Sequence, residues 1–303
     1  RHIGAMRVVS TEAHAIDLSG HTLIVPGIGG LGHVGELCVD SLVSTLGLRR
    51  VAIVHSGYLL PVAMSSAWEM PGGAEKARGD GESSLTTAAE LYQGSSRISV
   101  LQMRSEVAPG RRWCMAREIM SWARAAGVAE LLIVASCSQH VKVDADFDAA
   151  TELRYVRCGV GKLPSALDGQ DAPLPLGHAL QAEGIAEGDQ AATEGAQAAT
   201  EGDQAAIAIE NLLRGSGLAR PLLQMADAPP IAEGQSGQSS QSGLGVLCLL
   251  ALTGDQPDRR VIEQLALVAL ACIAEQLGQP ALALRVPPSW QFQAAEAARH
   301  LWT

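Results

Sequence analysis

The sequence is poor in aromatic residues and in lysine. Aromatic side chains make up 3% of its 303 residues, and lysine occurs only as Lys76, Lys142 and Lys162. The formal net charge is −10, so the chain lacks the basic surplus typical of proteins that bind nucleic acid or anionic membranes. Its apolar runs are also shorter than the ~20 residues needed to span a bilayer. We therefore expect no nucleic-acid partner and no membrane partner.

Motifs that would indicate an enzyme or a metal site are missing as well. The chain has no G-x-S-x-G, H-E-x-x-H or P-loop pattern. Its six cysteines occur singly, which is typical of buried, reduced thiols in an intracellular protein. Cys137 and His140 have a metal-like spacing but no second pair, and the acidic segment 143–152 lacks the central glycine of a calcium loop. We predict no catalytic, cofactor-binding or metal-binding residues.

What the sequence does contain is a glycine-rich turn. GIGGLG at 27–32 overlaps GLGHVG at 30–35, and both match the dinucleotide fingerprint, in which glycines let the backbone approach a pyrophosphate. That fingerprint also needs an acid about 20 residues further on, and no Asp or Glu occurs between Val51 and Met64. We favour a structural turn between a strand and a helix. The alternative is a nucleotide- or phosphate-binding enzyme, either NAD(P)-dependent or nucleoside-phosphorylase-like, that uses residues 27–35.

Continuous apolar runs alternate with helical patterns along the chain. Strand-like runs occur at 22–26, 51–54, 97–103, 130–136 and 245–252. Helical patterns occur at 35–46, 111–127 and 257–277, and the second has an apolar face made of Trp113, Ala116, Ile119, Met120 and Ala123. Apolar strands connected through helices form parallel crossover units. The pattern predicts an α/β sandwich around a mostly parallel sheet.

The helix expected at 257–277 is apolar on more than one face. Asp255 and Pro257 mark its start, and Gly278 marks its end. Its large apolar residues are Val261, Ile262, Leu265, Leu267, Val268, Leu270 and Ile273. Such a helix is buried on several sides, and we expect a partner chain to bury part of it.

Two low-complexity segments fall outside this pattern. From Glu187 the chain repeats EGDQAAT, EGAQAAT and EGDQAAI, whose alanines and glycines make a stable coiled coil unfavourable. A second segment, at 233–243, is rich in Gly, Ser and Gln. We predict one α/β domain over 6–303 with disordered insertions at 164–206 and 231–243. Residues 1–5, which precede Met6, are expected to be a vector-derived remnant.

The C-terminal region has two interpretations. VPPSW at 286–290 is typical of an extended segment with an aromatic anchor, and the chain ends in Leu301, Trp302 and Thr303. These last residues either pack on the protein's own core or form a terminal peptide that a partner captures through an aromatic side chain and the carboxylate.

Several of these segments, in this order, resemble the proteasome assembly chaperone 2 family. The most specific block runs from IDLSGHTLIVP to YLLPVA at 16–63, and VPPSWQ at 286–291 supports it. Further similar segments are SSRISVLQMRSEV, MSWARAAGVAELLIVAS, LRYVRC and LLRGSGLARPLL. The similarity covers most of the chain outside 164–206 and 231–243.

The resemblance implies a Rossmann-like or phosphorylase-like three-layer sandwich whose glycines bind no cofactor. It implies a non-enzymatic chaperone of the cytoplasm and nucleus that pairs with proteasome assembly chaperone 1. The pair would hold proteasome α-subunits while the α-ring of the 20S core forms and would prevent off-pathway ring association. Leu301, Trp302 and Thr303 correspond to the family's tail of a hydrophobic residue, tyrosine and any residue, which enters pockets between α-subunits. Here tryptophan replaces the tyrosine.

Overall fold

The computed structural model describes residues 6–11, 16–65, 85–141, 153–158, 164, 167, 213–227, 244–280, 282–287 and 290. The predicted remnant at 1–5, the insertion at 231–243, the triple heptad and the C-terminal tripeptide lie outside the described residues. Of the insertion predicted at 164–206, only Pro164 and Leu167 are described.

The described part contains ten strands and four α-helices. The strands are β1 (Arg7–Ser10), β2 (Thr22–Pro26), β3 (Arg49–His55), β4 (Ala63–Ser65), β5 (Leu85–Thr87), β6 (Ala89–Gln93), β7 (Ile98–Met103), β8 (Glu130–Ser138), β9 (Leu153–Cys158) and β10 (Gly245–Thr253). The helices are α1 (Val34–Leu46), α2 (Arg112–Ala125), α3 (Ala219–Asp227) and α4 (Arg259–Leu277). Short 3₁₀ turns at Leu31–His33 and Gln139–Val141 precede α1 and follow β8.

Eight strands form one sheet in the order β1-β3-β6-β7-β2-β8-β10-β9. The central strands β7, β2, β8 and β10 run parallel, as their continuous apolar sequences predict. The strands outside them pair antiparallel, so the complete sheet is mixed. Strands β4 and β5 form a separate antiparallel pair. The α/β fold class is confirmed.

Helices cover both faces of the sheet. The α1 and α4 helices pack on one face, where Leu167 and Trp290 are also buried, and α2 and α3 pack on the other. The layers therefore follow the order helix, sheet, helix. Within the described residues, no helix is both long enough and apolar enough to cross a membrane.

The apolar faces of α4 are buried inside this chain. Its large apolar residues join one core with those of α1 and β10, because α4 packs against both elements. Only Leu267, at 48% exposure, stands out to solvent. The apolar residues of α4 therefore give no reason to expect that a partner chain buries part of this helix. The N-cap is Asp258 rather than Asp255, since the Asp258 carboxylate accepts the Arg260 N–H at 2.8 Å.

The buried face of α2 differs from the predicted one at its first residue. Ala116, Ile119, Met120 and Ala123 are buried as expected, but Trp113 is 50% exposed. Trp113 lies in the first turn of the helix, before Met115, which is the first residue of α2 to enter the core. The prediction that Trp113 belongs to the apolar face is therefore wrong.

Candidate functional site

The glycine-rich turn lies where parallel α/β sheets usually bind ligands. It follows β2 at the carboxyl edge of the central strands and leads through Leu31–His33 into α1. Gly29 and Gly32 adopt positive φ angles of 72° and 61°, which only glycine tolerates without strain. The strand–turn–helix geometry that the sequence predicted is thus present.

The backbone N–H groups of this turn are used within the protein. The N–H groups of Gly27 and Gly30 donate to the carbonyls of Val134 and Gly27 at 2.8 and 3.1 Å. The Leu31 N–H donates to the Gly215 carbonyl at 3.0 Å. A pyrophosphate would need these donors to point at it unpaired. The turn therefore offers a phosphate few free donors.

A second loop occupies the space above the turn. This loop, at 213–218, follows the predicted insertion and carries two glycines with positive φ. The Leu218 N–H donates to the Ile28 carbonyl at 3.0 Å. A Cβ atom at Gly217 would lie 2.2 Å from that carbonyl oxygen and 2.6 Å from the Gly30 nitrogen. The close approach that the fingerprint glycines allow is thus made by another segment of the same chain.

A buried acid sits at the start of α1, where a phosphate would otherwise be favoured. Glu36 is 8% exposed, and one carboxylate oxygen accepts the Gly29 N–H at 3.2 Å. The same oxygen lies 3.5 Å from Nδ1 of His33, and this hydrogen bond raises the pKa of the His33 imidazole. A carboxylate at a helix N-terminus takes the favourable place of an anion and repels a second one. Glu36 therefore opposes nucleotide binding at this turn.

A second acid of α1, Asp40, is held by an arginine beneath the helix. Asp40 is 2% exposed, and its carboxylate accepts hydrogen bonds from Nη1 and Nη2 of the Arg104 guanidinium at 3.1 and 2.7 Å. It also accepts a hydrogen bond from the Gln102 side chain, which in addition donates to the Glu36 backbone carbonyl at 3.3 Å. Burial raises the pKa of Asp40, while the Arg104 charge opposes that rise. The network is enclosed, so it attaches α1 to the end of β7 rather than offering an acid or base to a substrate.

The cysteines do not form a reactive or metal-binding group within the described residues. Five of the six are buried, and burial raises the pKa of the Cys137 and Cys272 thiols to about 12. The Cys137 thiol lies 3.8 Å from the Ala251 carbonyl inside the sheet, whereas His140 is exposed. In the described part of the chain, no three His, Cys, Asp or Glu side chains are grouped to hold a metal ion.

The exposed apolar residues form a different kind of candidate site. Leu60, Val62 and Met64, at 46%, 37% and 37% exposure, are alternate residues of one segment that leads into β4. Leu85 of β5 is also exposed, at 53%, but it pairs with Ser65 while Met64 pairs with Thr86, so Leu85 lies on the other face of the β4–β5 pair. We call Leu60, Val62 and Met64 the exposed row. This row was not predictable from the sequence, because a short apolar run does not show on its own whether it faces the core or solvent.

The predicted site residues Leu301, Trp302 and Thr303 lie outside the described residues, so their role stays a prediction. The upstream aromatic anchor is described: Trp290 is 8% exposed and packs in the core of α1 and α4. Its backbone N–H donates to the Pro287 carbonyl at 3.1 Å. The segment that leads to the C-terminal region is therefore attached to the domain at Trp290.

Comparison with known proteins decides the family. The PAC2 family model matches residues 24–211, a range that contains most of β2, the glycine turn, α1, α2, β7 and β8. This chain belongs to the PAC2 family. It is 28% identical to Proteasome assembly chaperone 2 of Danio rerio over 138 residues and 30% identical to that of Xenopus tropicalis over 139 residues. These matches cover 45% and 46% of this chain and 50% of each relative.

The human relative gives the same result. Proteasome assembly chaperone 2 of Homo sapiens is 28% identical over 144 residues, which cover 47% of this chain and 51% of the relative. The chain thus spans about half the length of the curated relatives it matches. Among solved structures, Pyrococcus furiosus PbaA, described as an archaeal homolog of proteasome-assembly chaperone, aligns with a TM-score of 0.51 at 16% identity. That alignment covers 98% of this chain and 94% of PbaA, and it supports the fold.

Proposed function

We propose that this protein is a proteasome assembly chaperone and not an enzyme. It pairs with a proteasome assembly chaperone 1 subunit in the cytoplasm and nucleus. The pair promotes assembly of the 20S α-ring from α-subunits and prevents off-pathway association of rings. Membership of the PAC2 family and the names of the curated relatives support this proposal.

The observation that carries the proposal against the enzyme alternative is the closed glycine turn. The donors of Gly27, Gly30 and Leu31 are bonded to backbone carbonyls, and the Gly29 donor is bonded to the Glu36 carboxylate. A dinucleotide site needs this turn open, whereas a protein-binding domain needs it only to pack a helix on the sheet. The NAD(P)-dependent and phosphorylase-like alternatives are therefore not favoured.

The exposed row supports the pairing. Leu60, Val62 and Met64 are large apolar side chains that alternate along one segment, each more than a third exposed, and exposed apolar rows of this kind are a feature of protein interfaces. A partner that covered them would remove apolar surface from water, which is the main favourable term in protein association. We assign the exposed row to the assembly chaperone 1 partner.

The C-terminal tripeptide is proposed to dock in a pocket of the α-ring. Trp302 would fill an apolar pocket, and the terminal carboxylate would pair with a cation there. Trp302→Ala, or one residue added after Thr303, should then weaken α-ring binding about tenfold or more without lowering the melting temperature. A lower melting temperature for Trp302→Ala with unchanged binding would show instead that the indole packs on its own domain.

The proposed function is tested by reconstitution. Co-expression with assembly chaperone 1 should give a one-to-one complex in native mass spectrometry, and adding this complex to the seven α-subunits should increase the yield of heptameric rings. The purified protein should show no thermal shift with NAD, NADP or phosphate. A complex that forms no contact with any α-subunit, or a clear shift with one of the three ligands, would contradict the proposal.

A further inference from the structure

The solvent side of α2 carries a row of cations around one tryptophan. Trp113, Arg117, Ser121 and Arg124 follow one another at spacings of four, four and three residues, which places them on one face of the helix. All four are exposed. Arg111 and Arg112, at the start of the same helix, are also exposed, but the Arg112 guanidinium lies beside Gly29 of the glycine turn. We therefore call Trp113, Arg117 and Arg124 the α2 arginine face.

This face is basic on a protein that is acidic. The whole chain has 22 Lys and Arg against 32 Asp and Glu, yet residues 111–125 carry four arginines and one acid. That acid, Glu118, is partly exposed and accepts a hydrogen bond from the Ser56 hydroxyl at 2.6 Å. Among the described residues, Arg117 forms no ion pair, and the Arg124 side chain donates only to the Met225 carbonyl at 3.4 Å. The charge on this face is therefore not neutralised by the described part of the fold.

Trp113 adds an apolar anchor to this charged surface. It is one of five tryptophans in a chain with few aromatic residues, and half of its surface is in water. Burying an aromatic side chain of this size is strongly favourable, so a partner that covered Trp113 would gain binding energy from it. Tryptophan and arginine are the residue types most enriched in the hot spots of protein interfaces. The composition of the face therefore points to a protein partner with an acidic surface.

We propose that the α2 arginine face binds an acidic patch on a proteasome α-subunit, an inference that rests on the proposed function. Permanent subunit interfaces are large and mainly apolar, while a charged surface with one anchor gives a salt-sensitive, reversible contact. An assembly chaperone must release its client once the ring is complete, and the α2 arginine face suits such a client. The exposed row lacks charge and suits the permanent partner.

The test measures binding of the full chain, alone and paired with assembly chaperone 1, to each purified α-subunit. For at least one α-subunit, raising the NaCl concentration from about 50 to about 300 mM should weaken wild-type binding about tenfold or more. At the lower salt concentration, Arg117→Glu combined with Arg124→Glu should weaken binding at least about tenfold, and Trp113→Ala should have an effect of similar size. Unchanged melting temperatures would show that the variants remain folded.

Matched controls come from α4 on the other face of the sheet. Arg259→Glu combined with Arg260→Glu makes the same charge change on exposed residues, and Leu267→Ala truncates an exposed apolar side chain. Both should bind within about twofold of wild type. α2 variants that bind α-subunits as strongly as the wild type would overturn this inference alone. The same holds for α2 variants that lose pairing with assembly chaperone 1 but keep α-subunit binding. Absence of wild-type binding to every α-subunit would overturn the proposed function as well.

Discussion

Gly217→Ala should destabilise the fold far more than Gly47→Ala, although both glycines have almost the same backbone angle. Gly217 has a φ of 60° and Gly47 a φ of 61°. A Cβ atom at Gly217 would lie 2.2 Å from the Ile28 carbonyl oxygen, whereas a Cβ atom at Gly47 meets nothing within 4 Å. The two substitutions therefore share the cost of a left-handed alanine and differ in the steric overlap.

The expected magnitudes follow from these two contributions. A left-handed conformation costs a non-glycine residue about 1 to 2 kcal/mol, and this should be the whole effect of Gly47→Ala. Overlap with a backbone atom in a packed region adds about 1 to 3 kcal/mol. Moving the Ile28 carbonyl also weakens its 3.0 Å hydrogen bond from the Leu218 N–H. We expect Gly217→Ala to lower the free energy of unfolding by about 3 to 5 kcal/mol in total.

Urea denaturation of the wild type and the two variants, followed by circular dichroism, measures this difference. The slope of free energy against urea concentration should stay the same, so that a shift in midpoint reports stability. Equal destabilisation by the two variants would refute the conclusion that the second loop closes the glycine turn. A wild type that binds a nucleotide, together with a Gly217→Ala variant that keeps its stability but loses that binding, would refute it as well.

Three further predictions concern other parts of the chain. Arg104→Met leaves Asp40 buried without its counter-ion and should lower the free energy of unfolding by about 3 to 5 kcal/mol near pH 7.5. Burial raises the pKa of Asp40 and loss of Arg104 raises it further, so the folded variant binds a proton that the unfolded chain releases. The stability of the variant should therefore rise as the pH falls toward about 5. Urea midpoints at the two pH values measure this change, and adding Asp40→Asn should remove the pH dependence. Deleting 187–206 should leave the melting temperature and pairing nearly unchanged, and a loss of several degrees would show that the repeats pack. Val62→Glu should abolish pairing with assembly chaperone 1 in size-exclusion chromatography, whereas Val9→Glu, at another exposed valine, should not. Equal pairing by the two variants would contradict the assignment of the exposed row to the interface.

The central strands and the three principal helices were predictable because their apolar residues follow simple patterns. The strands β6 and β9 were not, because they bury charged residues. Glu90 of β6 is 1% exposed and pairs with Arg50 of β3 at 2.8 Å, and Arg157 of β9 pairs with Glu130 of β8 at 3.1 Å. A charged residue in a short segment predicts an exposed loop unless its counter-ion is known. In both strands that counter-ion comes from a different part of the chain.

The acids of α1 could have been noticed in the sequence, although their role could not. Glu36 and Asp40 stand four residues apart, hence on one side of a helix whose other residues are mostly apolar. That spacing indicates a buried polar pair or a site. Choosing between these requires Gln102 and Arg104, which reach Asp40 from the end of β7. Local pattern can therefore point to these residues, but only tertiary contacts decide what they do.

The glycine fingerprint shows why a local motif can match while its usual function does not follow. The glycines, the preceding strand and the following helix are all encoded within residues 22–46. Whether the turn can bind a phosphate depends on its N–H groups, and the Gly215 carbonyl and the Gly217 backbone close it from a loop far along the chain. A cofactor would have to displace that loop and approach the Glu36 carboxylate, losing hydrogen bonds and gaining charge repulsion. The same contacts that exclude a cofactor fasten the second loop and α1 to the sheet, so the glycine turn serves the packing of the domain, and recognition falls to its outer surfaces.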